Sequence, residues 1–567
     1  MLVIGAVALA ALAGRLVQVQ GFDAARYAAY GAQEVDQRIA LPSLRGAIYD
    51  RAGNLLAASA TRSDVVSDDY LVTDVAAAAA VLSPILRIPA ATLRAKLSER
   101  HGYVPLAYQV TSSLQQKLQA LNYPFLSFVP DTQRVDPNGD LFSPLLGIVG
   151  WGGKGLSGLE YLDNAQLAGT PGSEVVPTGP GGQGLPGSPT QVVGARQGTG
   201  LVLTLDEPLQ FEVRKDLAAR ISDTHASGGV AIVEDTHTGG ILAMVDLVAG
   251  PNGKVVPAQQ NLAATSVYQP GSVMKLVTIS GALQSGLISD NSTFTVPYQL
   301  YVGGWPFADA EYHPTESLTV SQILSQSSNI GTIEIAQLLG AQRLSYYLHD
   351  LGFGEPTGLG WPGESNGIVP SPNDPNVWSD SSMGTVPIGT GEAVTPLQIL
   401  DAYNAVANGG VFVTPRLVKA TVSPDGTQHV LGNAPTHRVL TQSTVAALLP
   451  MLEKVTQDGT ALAARIPGYT VAGKTGTAQI PKSTGGYEPG AWMATFVGFA
   501  PAEDPALTTI VVLNRPNLIY GGLASAPVFS QIMRYALRHF DIAPPGSSST
   551  SGSLTPVVST GAGTAAP

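Results

Sequence analysis

The chain contains no cysteine. That excludes disulfides, thiolate nucleophiles and cysteine-ligated metals, and leaves the compartment open. Charge is sparse, at 13% of 567 residues. Lys and Arg number 30 against 42 Asp and Glu, a net of −12 with no basic run. Nucleic-acid binding rests on neutralising phosphate, so this balance argues against nucleic acid as a partner. The eight histidines show no metal-ligand spacing such as H-E-x-x-H. No G-x-S-x-G elbow supports a Ser-His-Asp triad. No metal and no cofactor is expected.

The N-terminal apolar run, 1–14, is shorter than the roughly 20 residues of a bilayer span. Arg15 ends it, and Leu16-Val17-Gln18-Val19-Gln20 follows. A cleaved signal peptide carries a basic segment before its apolar run, and none is present. A core helix placed at the very terminus is unusual. The favoured reading is a membrane anchor over 1–20 whose cytoplasmic start is truncated or mis-assigned, with helical character continuing over 20–35. At the other end, 543–567 is Ser, Thr, Gly, Pro and Ala with almost no large side chains. It cannot bury enough apolar surface to offset ordering, so a disordered tail is expected.

The length allows several domains, and a 44% hydrophobic composition fits a folded chain. From Ile39 the pattern is extended, reaching a turn at Gly53-Asn54. Helical stretches are expected at 75–86 and 92–99. Residues 169–200 are dense in Gly and Pro and read as a loop or inter-domain crossing. Then comes a strand at 201–205. Asp206 suits an N-cap and Pro208 a first helical turn, for a helix over 209–222. Strands at 229–234 and 240–245 are joined by a Thr/Gly turn. Helices are expected to dominate from Ser272 to about Leu351. Strands return near 471–479, 494–499 and 508–513, and a helix over 527–540 follows. This order predicts an antiparallel sheet packed between helices.

Three motifs occur in order: Ser272-Val273-Met274-Lys275, Ser327-Ser328-Asn329 and Lys474-Thr475-Gly476-Thr477. They read S-x-x-K, S-x-N and K-T-G, the set found in serine enzymes that react with D-alanyl peptides and β-lactams. Pro270-Gly271 breaks the chain before Ser272, which places the serine near a helix N-terminus. Serine and lysine at i and i+3 share a face, so the amine can reach the hydroxyl. A serine nucleophile needs a base, and lysine serves only when neutral. From a reference pKa of about 10.4, deprotonation at pH 7 costs about 4.6 kcal/mol. Burial and a second cation lower that pKa, and Lys474 is the candidate cation. Ser327-Ser328-Asn329 competes with helical bonding and fits a helix end. Ser327 can relay a proton and Asn329 can hold a substrate amide. Residues 470–479 read as a strand. Alternation points Lys474 toward the Ser/Asn motif and Thr475 and Thr477 toward a substrate, with Gly476 allowing close approach.

Two other patterns are set aside. Gly468 to Thr475 matches the P-loop spacing G-x-x-x-x-G-K-T, but Gly476 and Pro481 stand where its helix should run. Gly179-x-Gly181-x-x-Gly184 lies in Gly/Pro-rich sequence with no helix after it.

The chain resembles a class B penicillin-binding protein, a monofunctional peptidoglycan D,D-transpeptidase. Beyond the three motifs, Arg45-Gly46-Ala47-Ile48-Tyr49-Asp50-Arg51-x-Gly53-x-x-Leu56-Ala57 looks like the family's first N-terminal motif. Gly158-Leu159-Glu160-Tyr161 with Gly169 and Gly172, Leu203-Thr204-Leu205-Asp206 with Gln210, Val394 to Gln398, and Phe496 to Pro501 are also similar and in family order. Around Arg45 a structural role is expected, with buried charges organising a pedestal. Two positions depart from the pattern: Gln269 stands where Glu often precedes Pro-Gly-Ser, and Thr390 replaces the Gln of Gly-Gln-Gly. Neither is expected to abolish activity.

The resemblance implies a multidomain α+β fold. It comprises an anchor (1–20), a non-catalytic N-terminal pedestal (21–195), a β-lactamase-like transpeptidase domain with an antiparallel sheet between helices (196–542), and the tail. It implies that Ser272 attacks between two D-alanines of a stem peptide, that Lys275 takes its proton, and that Ser327 protonates the leaving D-alanine. The N–H groups of Ser272 and Thr477 would form an oxyanion hole, worth roughly 3–4 kcal/mol per donor. Lys474, Thr475 and Thr477 would hold the carboxylate of substrate or β-lactam. The S-x-N form followed by Ile330-Gly331-Thr332 looks more like division-type members than elongation-type ones. Implied partners are stem peptides, inhibiting β-lactams, the bilayer, other divisome proteins and a membrane glycan polymerase of the shape-elongation-division-sporulation family. The implied location is the bacterial membrane, single-pass, with the catalytic domain outside. Two rivals remain: a β-lactamase or β-lactam sensor, for which no E-x-x-L-N segment is present, and a non-catalytic membrane-anchored scaffold.

Overall fold

A computed structural model of the chain describes residues 2–23, 36–177 and 191–546. The expected helical continuation over 24–35, the glycine pattern at 179–184 and all but the first residues of the 543–567 tail lie outside the described residues. An α-helix, Leu2–Val17, runs on as a π-helical turn, Gln18–Phe22. It is the one helix among the described residues long and apolar enough to cross a membrane. Its Gly5–Phe22 window has a mean hydropathy of 1.3 and is wholly unburied.

Strand Asp36–Leu41 pairs antiparallel with Gly172–Pro177, which pairs in turn with Gln191–Val193. The stretch 169–200, expected as a loop, therefore contributes two short strands. The β-branched pairs Val175-Val176 and Val192-Val193 suit a strand, and their Gly/Pro-rich surroundings obscured them. The long strand Leu55–Ser67 pairs with both Val104–Val110 and Leu126–Val135. Helices Val75–Leu86 and Ala90–Lys96 cover it, burying Leu82, Leu93 and Leu97 with Val65 and Leu106 in a separate core.

The Arg45 region is built on buried charge, as expected. Arg45 and Glu160 are 4% and 1% exposed. Glu160 pairs with Arg45 through one oxygen and with Arg134 at 2.7 Å through the other. Arg45 also donates to Asn164 Oδ1 at 2.7 Å and to the Gly153 carbonyl at 2.9 Å. Asp50, fully buried, accepts from the Ala52 and Asn54 N–H groups at 2.9 and 2.8 Å, holding the turn at Gly53-Asn54. Before this turn Ile48–Tyr49 pairs parallel with Gly200–Leu203, which pairs antiparallel with Val418–Val422. One seven-stranded sheet thus joins N-terminal strands to a strand from far along the chain.

The second sheet has six strands: β1 (Gly228–Asp235), β2 (Ile241–Ala249), β3 (Val255–Pro257), β4 (Ala472–Pro481), β5 (Tyr487–Ala500) and β6 (Leu507–Asn514). Their order is β3-β2-β1-β6-β5-β4, antiparallel throughout. The helices are α1 (Glu207–Asp223), α2 (Lys275–Gln284), α3 (Val320–Gln326), α4 (Asn329–Leu339), α5 (Pro396–Ala407), α6 (Gln442–Gln457) and α7 (Ala526–His539). Asp206 caps α1 by accepting from Leu209 N–H at 3.1 Å. Adjacent residues on β5 face opposite sides. Phe496 stacks edge-on against Phe529 of α7. Thr495 meets Tyr268 on the other side, where Thr508 of β6 also bonds Asn404 of α5. The sheet is therefore sandwiched, which is why β1 is buried at every position.

Helices dominate 272–351 as expected, but four short strands interrupt them. Strand Thr293–Val296 pairs with Glu316–Thr319, and Gln299–Val302 forms a hairpin with Trp305–Ala308. The hairpin turns through Gly303 and Gly304, both at positive φ. Its β-branched and aromatic residues favour strands, but runs of four residues are too short to show a period.

Candidate active site

Ser272 lies in a 3-10 turn, Gly271–Met274, that leads into α2. Two glycines let this turn meet the edge strand β4. Gly271 has φ +65, and a Cβ there would sit 2.7 Å from the Thr477 carbonyl oxygen. At Gly476 a Cβ would sit 2.5 Å from the Pro270 carbonyl oxygen. Backbone bonds pin the turn from the other side: Gly271 N–H to Gly389 O at 2.8 Å and Tyr268 N–H to Val394 O at 3.1 Å. The Tyr403 hydroxyl of α5 donates to Val273 O at 2.8 Å. Ser272 itself is half-buried.

Ser327 ends α3 in the left-handed conformation, φ 63 and ψ 36, and Ser328 caps α4 by accepting from Gly331 N–H at 3.0 Å. This reversal turns the motif onto the two lysines. Lys275 Nζ donates to the Ser327 carbonyl, to Ser327 Oγ at 3.3 Å and to Asn329 Oδ1 at 2.9 Å. Lys474 Nζ donates to Ser327 Oγ at 3.0 Å. One hydroxyl thus lies between two amines. Among the described residues, Lys275 spends its donors on Ser327 and Asn329, and the Ser272 hydroxyl makes no hydrogen bond.

Both lysines are 0% exposed. Burial pushes the Lys275 amine down to about 7, against the upward pull of the Asp309 carboxylate. Lys474 is pushed well below the usual lysine range by burial and then by the charge of Lys275. Two ammonium groups sharing one hydroxyl in a dry site repel, so the pair favours a state in which an amine is neutral. A neutral amine can accept a proton from a serine.

On β4 the side chains of Thr475 and Thr477 take the face opposite Lys474, as strand alternation dictates. Thr475 is 7% exposed, and its hydroxyl pairs with Thr460 at 2.9 Å and accepts from Lys474 at 3.2 Å. Thr477 accepts from Gly521 N–H at 3.2 Å. Thr460, Gly521 and Gly522 pack beside them. The P-loop spacing falls away: Gly473 to Thr475 lie inside β4, which runs on to Pro481 without a helix.

Several neighbours gave no signal in the sequence. Asp309 accepts from Asn329 N–H, from Ile330 N–H at 3.1 Å and from Ser328 Oγ at 2.8 Å. The Tyr268 hydroxyl meets Thr495 Oγ1 at 3.0 Å beneath the Ser272 turn. Thr460 holds Thr475. Each is an ordinary residue whose partner lies far away in the chain.

Residues 229–534 match the penicillin binding protein transpeptidase domain, and 40–203 match the penicillin-binding protein dimerisation domain. The chain is a class B penicillin-binding protein. This penicillin-binding protein is 33% identical over 503 residues to penicillin-binding protein PbpB of Mycolicibacterium smegmatis, covering 86% of this chain and 77% of that one. It is 30% identical over 515 residues to peptidoglycan D,D-transpeptidase FtsI of Escherichia coli K12, covering 88% and 84%. It is also similar to the crystal structure of penicillin binding protein 3 from Mycobacterium tuberculosis complexed with aztreonam. That likeness has a TM-score of 0.69 and 29% identity, over 89% of this chain and 98% of that one.

Proposed function

We propose that this protein cross-links peptidoglycan as a serine D,D-transpeptidase and is acylated by β-lactams. The observation that carries the reading is the Ser327 hydroxyl held 3.3 Å from Lys275 Nζ and 3.0 Å from Lys474 Nζ beside the Ser272 turn. Ser272 Oγ attacks the carbonyl between two D-alanines of a stem peptide. Neutral Lys275 takes the serine proton. The backbone N–H groups of Ser272 and Thr477 hold the oxyanion. The C–N bond breaks, and the terminal D-alanine leaves with a proton delivered through Ser327, with Lys275 and Lys474 on either side. The amine of a neighbouring stem peptide then attacks the acyl-enzyme, forming the cross-link and freeing Ser272. Asn329 orients the substrate amide. Lys474, Thr475 and Thr477 bind the terminal carboxylate, with Gly476 letting the substrate backbone approach the free edge of β4.

The N-terminal helix anchors the protein in the bacterial membrane in a single pass, with the catalytic domain on the outer side. The S-x-N form of 327–329, followed by Ile330-Gly331-Thr332, supports a septal role. A membrane glycan polymerase of the shape-elongation-division-sporulation family and other division proteins are then its partners. The test is incubation with a fluorescent penicillin, comparing the parent with Ser272→Ala. A stable adduct in the parent and none in the variant is expected. Rapid turnover of the drug by the parent points to a β-lactamase, and no adduct at all points to a scaffold.

A further inference from the structure

Asp309 stands behind the Ser/Asn motif with every oxygen engaged. It follows strand Trp305–Ala308, whose last carbonyl accepts from Asn329 Nδ2 at 2.9 Å. One carboxylate oxygen accepts from Asn329 N–H and from Ile330 N–H at 3.1 Å, the free donors at the start of α4. The other accepts from Ser328 Oγ at 2.8 Å and from His313 Nε2 at 3.0 Å. His313 is in turn 3.5 Å from Glu316 and places its Nδ1 at 2.8 Å from Pro314 O. The Asp309 and His313 side chains are 9% and 19% exposed.

We infer that Asp309, braced by His313, is a positioning residue that holds the Ser327–Asn329 turn against Lys275 and sets the protonation of that lysine. The inference rests on the transpeptidase reading. Ser327 sits in the left-handed region, a conformation that disfavours a side chain with a Cβ. The bonds from Asp309 to the next three residues hold that turn. The same carboxylate is the negative group that pulls Lys275 upward, opposing burial. The charged groups facing this pair are Lys474 from β4, whose field Lys275 shares, Glu316 beside His313, and Glu334 of α4, which burial and then Asp309 raise. Tyr298 packs edge-on against the His313 ring, 6.0 Å between centroids. Contact with Pro314 O and then Asp309 raises His313, so near neutral pH it carries a share of positive charge that offsets Asp309.

Two substitutions separate this role from simple bracing. Asp309→Asn keeps the shape and removes the charge. The limiting rate of acylation should fall by up to about 10²-fold, the loss that a misplacement of about 1 Å can cause. The acid limb of the rate against pH should move to lower pH, because the charge that raised Lys275 is gone. His313→Gln removes the offsetting charge, so the acid limb should move to higher pH. The measurement is the pH profile of fluorescent-penicillin labelling in the full chain, whose free-enzyme limbs report the essential base. A purely structural role would lower the labelled fraction without moving either limb. The inference is overturned if both limbs stay at the parent's pH or move the same way, and His313→Gln alone decides it if Asp309→Asn does not fold. A parent that takes no label sinks the transpeptidase reading instead.

Discussion

The side-chain amide of Gln269 donates to the backbone carbonyl of Thr390 at 2.9 Å. These are the two positions that depart from the family pattern, and they meet. The contact ties residues 389–394 to the turn that presents Ser272 and works beside the Gly271–Gly389 bond. The oxygen of the same Gln269 amide is buried and has no hydrogen-bond partner among the described residues. Gln269→Glu replaces the donor by an acceptor facing a carbonyl. We predict a stability loss of about 1–3 kcal/mol at pH 7, the usual cost of an unsatisfied buried group. The loss should shrink toward pH 4 as the carboxyl becomes able to donate. Thermal unfolding at the two pH values checks this, and an unchanged difference would count against the contact.

With Lys275 as the proposed base, its amine should set the pH response of the chemistry. Its amine is pushed from 10.5 down to about 7, so the neutral form grows as pH rises through 7. Acylation by a fluorescent penicillin should rise with pH and level off above an acid limb near 7. Lys275→Ala should remove that limb and slow labelling by about 10²–10⁴-fold, the span of general-base catalysis. A Lys275→Ala profile with the parent's limb would assign the limb elsewhere.

The same shift affects stability. In the unfolded chain the lysine binds its proton up to about 10.4. In the folded chain it releases it near 7. Between those values the unfolded state holds more protons, so stability rises with pH at up to about 1.4 kcal/mol per unit. Replacing Lys275 by Ala should flatten that slope between pH 7 and 9 in denaturant titrations.

Glu234 of β1 and Asp401 of α5 form an opposite case. Both are buried, and neither carboxylate has a hydrogen-bond partner among the described residues. Burial raises both, with Asp235 adding to Glu234, and Glu234 and Glu364 adding to Asp401. Unfolded, they ionise near their ordinary values of 4.5 and 3.8. Stability is therefore full below those values and falls as pH rises above them, by up to about 1.4 kcal/mol per unit for each group. Asp401→Asn should raise the melting temperature more at pH 8 than at pH 5. Equal effects at the two values would show that the pair ionises normally.

The Arg45–Glu160–Arg134 group should be sensitive to loss of one member. Glu160→Gln leaves two buried guanidinium groups without their shared carboxylate. Removing one partner from such a group costs about 3–5 kcal/mol. Unfolding of the N-terminal region, followed by proteolysis, should be promoted, while a fluorescent penicillin still labels the remainder. Labelling lost in step with the N-terminal region would mean that the two parts unfold together.

Much of the six-stranded sheet was legible because its signals are local. Asp206 and Pro208 mark the start of α1 by chemistry confined to four residues. The apolar runs of β1, β2 and β6 read as strands because both faces are buried. The hairpin 299–308 and the strands at 172–177 and 191–193 were missed because each run is too short to show a period, and Gly and Pro dominate the neighbourhood. What Thr475 touches was hidden for another reason. Alternation assigns a side chain to a face and says nothing of what packs beside it, which here is Thr460 and Gly522.

By itself the sequence determined the candidate reacting groups: a serine and lysine one turn apart, an S-x-N turn, and a strand carrying a second lysine. Spacing along a helix or strand is a local property, so it survives without knowledge of the fold. Only the tertiary structure decided what those groups touch. It brought Lys275 and Lys474 to one hydroxyl from elements nearly 200 residues apart, buried both, and set Asp309 against the turn that joins them. Desolvation and charge coupling act across space rather than along the chain, and they turn two ordinary lysines into a candidate base and its electrostatic partner.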